Sequence, residues 1–128
     1  METERPPEWP SEWLRGVLEV CVLRILGEGP TYGYAISARL AQEGIGTVKG
    51  GTLYPLLARF ERTGLVRVEW RTGETGPARK YYALTPAGRA ELATLAGRWA
   101  AFADLTSRFV VHDPTERPRA APPREARP

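Results

Sequence analysis

The chain has little with which to do chemistry: one cysteine and one histidine in 128 residues. With Cys21 alone, neither an internal disulfide nor a cysteine zinc cluster can form. His112 lies at the edge of a proline-rich tail, and no phosphate-cradling glycine motif or cluster of metal ligands appears, so catalysis, a metal and a cofactor are not expected. Long hydrophobic runs are also missing. Arg or Glu interrupts every apolar stretch, and nothing approaches the roughly 20 residues of a membrane span. Met1 to Pro10 mixes acids with prolines and has no apolar signal-peptide core, which points to the cytoplasm. The 42% apolar content is enough for one ordinary core plus an extension.

Net charge is only +3, and its distribution says more than its total. Met1 to Glu28 carries three basic and six acidic side chains, whereas Arg39 to Arg89 carries nine basic and four acidic. Such a segment can neutralise phosphates. A chain rich in Arg, Ala, Gly and Pro also arises from GC-rich codons, so the placement of the arginines has to decide.

Pro6, Pro7 and Pro10 mark residues 1–10 as a disordered lead-in, with Ser11 as N-cap of a first helix. Leu14, Val17, Leu18, Cys21, Val22, Ile25 and Leu26 then form a continuous stripe at helical spacing, in which Cys21 is plain core. Gly27, Gly29 and Pro30 end the helix. Thr31 is expected to cap a second helix to about Gln42, with Tyr34, Ile36 and Leu40 as core contacts. A third helix follows Gly50-Gly51 with Leu53, Leu56, Leu57 and Phe60 on one face. Taking Thr52 as its N-cap puts Pro55 harmlessly in the first turn. The period then changes to alternation. Val66, Val68 and Trp70 face inward, and a second strand runs from about Arg79 to Leu84, giving a two-stranded hairpin. Thr85-Pro86 starts a last helix to roughly Val110, and the tail, residues 112–128, is expected to be disordered.

Three helices and a hairpin are the order of a winged helix-turn-helix, a mainly α fold with a small β-hairpin, here spanning residues 11–85. The face of the third helix opposite its leucines carries Gly51, Pro55, Ala58, Arg59 and Arg62, with Thr52 at the margin. Glycines there let the backbone approach a phosphate or base edge, and helix N-terminal N–H groups favour an anion. Lys49 and Thr52 would touch duplex DNA first. The loop from Thr72 to Ala78, flanked by Arg71, Arg79 and Lys80, suits a wing along a phosphate backbone, although a solvated hairpin has the same composition. Tyr32 is weighted towards a phosphate donor, while Tyr34 fits core or phosphate equally.

The segments Pro30-Thr31-Tyr32-Gly33-Tyr34, Gly51-Thr52-Leu53-Tyr54-Pro55-Leu56-Leu57 with Arg59 and Glu61, Gly64-Leu65-Val66, Gly76-Pro77, and Arg79-Lys80-Tyr81-Tyr82-Ala83-Leu84-Thr85 with Gly88 together resemble the PadR-like transcriptional regulators. The resemblance covers the whole winged helix. It implies a homodimeric regulator, commonly a repressor, that binds palindromic operators and in some members responds to a small effector. It puts DNA contacts at Lys49, Thr52 and Tyr54, at Tyr32, and at Arg79 and Lys80; Gly51 and Arg59 join them from the helix-face reading. Phe60 departs from the family's usual leucine. With no multi-helix C-terminal domain, the chain looks like the short branch with a single C-terminal helix.

Leu92, Leu95, Trp99, Phe102, Thr106 and Phe109 are spaced as a heptad seam, which makes residues 86–111 a dimerisation helix. Two recognition helices about 34 Å apart could then read successive turns of one DNA face. The resemblance has a further implication, since some members of the short branch stack planar drugs between aromatic residues near this point of the dimer interface. Trp99 and Phe102 are therefore candidates for a planar aromatic ligand, or simply dimer core. The competing function from another class is a winged-helix protein-protein interaction module, whose basic arc meets an acidic partner instead of DNA. RNA is disfavoured, since no exposed aromatic sheet surface for stacking bases is evident.

Overall fold

A computed structural model describes residues 8–73, 76–112 and 115. In chain order the elements are α1 (Ser11–Leu26), β1 (Thr31–Tyr32), α2 (Gly33–Gln42), α3 (Gly50–Arg62), β2 (Val66–Arg71), β3 (Arg79–Leu84) and α4 (Pro86–Val110). They fall into two compact units, residues 1–97 and 98–128. The expected disorder of the lead-in and tail falls mainly outside the described residues. Within the lead-in, the Trp9 indole N–H donates to the Gly44 carbonyl at 2.9 Å.

The first unit closes on one core. Leu18, Val22, Leu23 and Leu26 of α1 meet Ile36 and Leu40 of α2, Leu53, Leu57 and Phe60 of α3, and Val66, Tyr82 and Leu84 of the sheet. The α3 face is the one its spacing predicts. On α1 the buried face is rotated from the expected stripe: Leu23 is fully buried, while Leu14, Cys21 and Ile25 are only partly so. Burial pushes the Cys21 thiol pKa up, as expected of core rather than reactive cysteine.

The sheet has three strands, in the order β1-β3-β2, rather than the two of the expected hairpin. Thr31 pairs with Tyr82 and Tyr32 with Tyr81, so Thr31 is a strand residue and does not cap α2. Gly29, at φ 143°, turns the chain into that strand, where two residues are too few to show an alternation. With neighbours on both sides, β3 buries Tyr82, Ala83 and Leu84 in succession. The hairpin register runs from Val66 opposite Leu84 to Arg71 opposite Arg79. Trp70 shares the face of Val66 and Val68 yet is 68% exposed, because the hairpin outruns the core that would cover it.

Helix starts also differ from expectation. Ser11 is the first residue of α1, with Pro10 at the N-cap position. Lys49 holds that position for α3, so Thr52 lies within the first turn and Pro55 inside the helix. The Gly51 carbonyl consequently lacks the intrahelical donor that residue 55 would otherwise supply, at an exposed position. Tyr34 of α2 is 75% exposed and contributes nothing to the core.

Thr85 does cap α4. Its Oγ1 accepts from the Gly88 N–H at 3.0 Å and donates to the Gly64 carbonyl at 2.6 Å, while the Thr85 N–H donates to the Leu65 carbonyl at 3.1 Å. One hydroxyl thus joins the start of α4 to the turn before β2. Thr85→Val removes both hydroxyl bonds and is expected to cost about 1–2 kcal/mol, read as a lower urea midpoint at unchanged slope, with Thr85→Ser retaining most of the stability.

Candidate nucleic-acid interface

The sequence places basic residues on the third helix and the hairpin; the fold decides which of them meet. Residues from α2, α3, β1 and β3 enclose an open cleft of about 580 Å³ lined by Tyr32, Gly33, Tyr34, Tyr54, Ala58, Arg79, Lys80 and Tyr82. Four of the expected DNA contacts, Tyr32, Tyr54, Arg79 and Lys80, therefore share one concavity. The Tyr54 ring lies across two glycines: a Cβ on Gly33 would come within 2.6 Å of its hydroxyl, and one on Gly50 within 3.3 Å of its ring. Gly33 is needed for this close approach, at an ordinary backbone conformation.

Lys49, Gly51 and Thr52 are not in the cleft wall. They sit exposed at the N-terminus of α3, where the Gly50 and Gly51 N–H groups have no helical carbonyl behind them to accept. Thr52 and Leu53 donate back to the Lys49 carbonyl at 2.9 and 3.0 Å, which fixes that turn. The exposed end is small, polar and positively polarised, a combination that accepts an anion.

Arg59 is placed otherwise. Its guanidinium pairs with Glu19 of α1 at 3.3 Å, and Ala58 rather than Arg59 lines the cleft. Lys80 sits 3.6 Å from Glu61 and 5.5 Å from the centre of the Tyr82 ring. Burial pushes the Tyr82 phenol pKa above its usual range, so its hydroxyl stays protonated. Arg39, on α2, is absorbed by Glu43 at 2.7 Å and Glu28 at 2.9 Å, bonds that raise its pKa further. Among the described residues, Lys49, Arg62, Arg79 and Arg89 have no acidic partner within salt-bridge distance. Cations free to meet phosphate thus lie at both ends of α3 and at the root of the wing.

Residues 22–94, more than half of the chain, match the model of the transcriptional regulator PadR-like family. The chain belongs to that family. A transcriptional regulator of Mycobacterium tuberculosis is 37% identical over 81 residues, covering 63% of this chain and 74% of the relative. Among solved structures, a PadR family transcriptional regulator from Eggerthella lenta is 36% identical with a TM-score of 0.71, covering 80% of this chain and 89% of that one. A PadR-like regulator from Bacillus cereus is 31% identical with a TM-score of 0.72, covering 80% and 99%. The winged helix of this PadR-like regulator is therefore the fold shared by its relatives.

The expected dimer seam divides between the two units of the PadR-like chain. Leu92 and Leu95 pack against the core of the first, with Leu92 beside Gly27. In the second, Trp99, Phe102 and Phe109 are 43%, 61% and 81% exposed. The Trp99 and Phe102 rings lie 6.2 Å apart at 47°. Leu105, exposed beside them, was missed because the heptad spacing steps over it. Tyr82 and Gly33 were also not foreseen in the site. Tyr82's alternation with Lys80 along β3 is a signal only in hindsight, because both faces of that strand are used.

Among the described residues no helix is long and apolar enough to cross a membrane. No group of three or more His, Cys, Asp or Glu among them could hold a metal ion.

Proposed function

We propose that this PadR-like regulator is a homodimer that binds a palindromic operator in duplex DNA and represses transcription, acting in the cytoplasm on the nucleoid. The observation that carries this reading is the cleft, where tyrosines and two cations from β1, α3 and β3 converge. Phosphate contacts of this kind supply most of the affinity for duplex. The α3 N-terminus, with Lys49, Gly51, Thr52 and Tyr54, supplies the base-edge and phosphate contacts of a recognition helix. Arg79 and Lys80 bind phosphate from the wing. Arg59 takes part only if DNA draws it from Glu19.

The exposed run Trp99, Phe102, Leu105 and Phe109 pairs with a second copy, since an apolar stripe of this size is costly to leave in water. The half-buried edge of α1, with Val17 and Cys21, is a further surface for the partner. A planar aromatic effector would stack on Trp99 and Phe102. Quenching of Trp99 fluorescence by planar cationic dyes supports that site, and unquenched emission from an intact dimer removes it.

The deciding test is a gel shift with DNA from upstream of this protein's own gene. Wild type is expected to give a discrete shift that survives competitor DNA, and Thr52→Ala and Arg79→Ala to lose it. Specific binding retained in both variants would overturn the site. Indifference of wild type to any duplex would instead favour a protein-docking winged helix. Gly33→Ala offers a finer prediction. Tyr54 can swing away from the added methyl, so stability should change by under about 1 kcal/mol, while titration should show duplex affinity about fivefold weaker.

A further inference from the structure

The outer face of the sheet extends from two residues of the cleft, Tyr32 and Arg79, to two that do not line it, Arg71 and Tyr81. Arg71 and Arg79 are direct cross-strand partners, so their side chains leave the same face from adjacent positions. Like charges so placed repel, and this pairing needs something to hold it. Two tyrosines do so. The Arg71 guanidinium lies 4.4 Å from the centre of the Tyr81 ring, and that of Arg79 lies 4.6 Å from the centre of the Tyr32 ring. The two rings are themselves packed at 5.3 Å and 53°. Tyr81 sits opposite Glu69 and Tyr32 opposite Tyr81, two pairs further into the sheet and on the same face, so both arginines reach their rings along the same diagonal.

A guanidinium resting on a ring spends its face and keeps its N–H edges. Arg71 gives one edge to Glu69 at 3.1 Å, and Arg79 gives none to any acid among the described residues. Side chains already ordered lose less freedom on binding than mobile ones. The result is a pair of pre-aimed, phosphate-shaped donors at the root of the wing.

We infer that Arg71 and Arg79 act together as a clamp for backbone phosphates of duplex DNA, and that Tyr32 and Tyr81 are positioning residues that serve through their ring faces. This rests on the DNA-binding reading above. It adds Arg71 and Tyr81 to the interface, and it changes the role of Tyr32 from hydroxyl donor to support for Arg79.

The test is equilibrium binding of the full chain to a fluorescein-labelled random-sequence duplex over a salt series, with melting curves for every variant. Arg71→Gln and Arg79→Gln should each weaken binding about fivefold to tenfold and lower the salt slope by about one. Tyr32→Phe and Tyr81→Phe keep the ring and should stay within about twofold of wild type, whereas Tyr32→Leu and Tyr81→Leu should bind about threefold to fivefold more weakly. Because Tyr81 acts through Arg71, Arg71→Gln with Tyr81→Leu should bind no worse than Arg71→Gln alone. An unchanged affinity and slope in Arg71→Gln, with wild type binding, would overturn the clamp and leave the DNA reading standing. Phenylalanine variants as weak as the leucine ones would return the role to the hydroxyls. Should the leucine variants melt early, the glutamine and phenylalanine variants still decide. Absence of salt-dependent binding by wild type would remove the DNA reading and the clamp together.

Discussion

Gly88→Ala is expected to destabilise the first unit by about 3 kcal/mol or more, lowering its Tm by on the order of 10 °C or preventing folding altogether. Gly88 lies in the first turn of α4 and is buried. A Cβ there would overlap the Leu65 carbonyl oxygen and approach Leu84 Cδ2 to 2.9 Å. Neither can yield cheaply. Leu65 is fixed by the bond from the Thr85 N–H to its carbonyl, and Leu84 is in the core. Helix propensity alone predicts the opposite sign, since alanine outranks glycine by about 1 kcal/mol. Gly97, on the same helix with no heavy atom within 4 Å of the equivalent position, is the control: Gly97→Ala should be neutral or slightly stabilising. Thermal melts of both variants check the pair. A stable Gly88→Ala protein would show that the helix start can move away from the turn before β2.

The second large effect is on assembly. Phe102→Glu places a carboxylate in the exposed apolar run with Trp99 and Phe109, and is expected to split the proposed homodimer into monomers by sedimentation. The first unit has its own core, so its helical circular dichroism and core melting should persist. Affinity for a two-half-site operator should fall at least about 100-fold, because linking two binding units supplies an effective concentration that a monomer lacks. Affinity for a single half-site should change little. A Phe102→Glu protein that remains dimeric would move the interface elsewhere.

Much of this molecule was legible in the order of its residues, and the failures share a cause. The i, i+3, i+4, i+7 stripe of α3 reports its buried face faithfully because the helix packs on one side only. On α1 the same arithmetic centred the stripe too far from Leu23, because neighbours on more than one side bury a wider arc than periodicity describes. Trp70 obeyed the alternation of its strand and still ended in solvent. Alternation tells which face a side chain takes, not whether anything covers that face. Thr31 carries the chemistry of a helix cap and forms a strand, since a partner 51 positions later in the chain, Tyr82, offered it backbone bonds. Local propensity cannot weigh a bond to a distant residue.

The candidate site divides in the same way. Clustering of cations in the third helix and hairpin could be read directly, as could the glycines at the start of that helix. Which cations are available could not. Arg59 and Arg62 look alike in sequence, yet Glu19 on α1 claims the first and no acid among the described residues claims the second. Such pairings depend on how α1 crosses α3, and many surface pairs of this sort contribute little energy while still deciding where a side chain points. By itself, then, the sequence determined the helices, the hairpin, the Thr85 cap, the family and the band of positive charge, because each follows from residue spacing along the chain. Tertiary structure alone decided the third strand, the exposure of Trp70 and the gathering of Tyr32, Tyr54, Arg79 and Lys80 around one cleft. It likewise decided the stacking of Arg71 and Arg79 on two tyrosine rings. Those features are contacts between segments far apart in sequence, fixed only when burial of the common core brings the segments together.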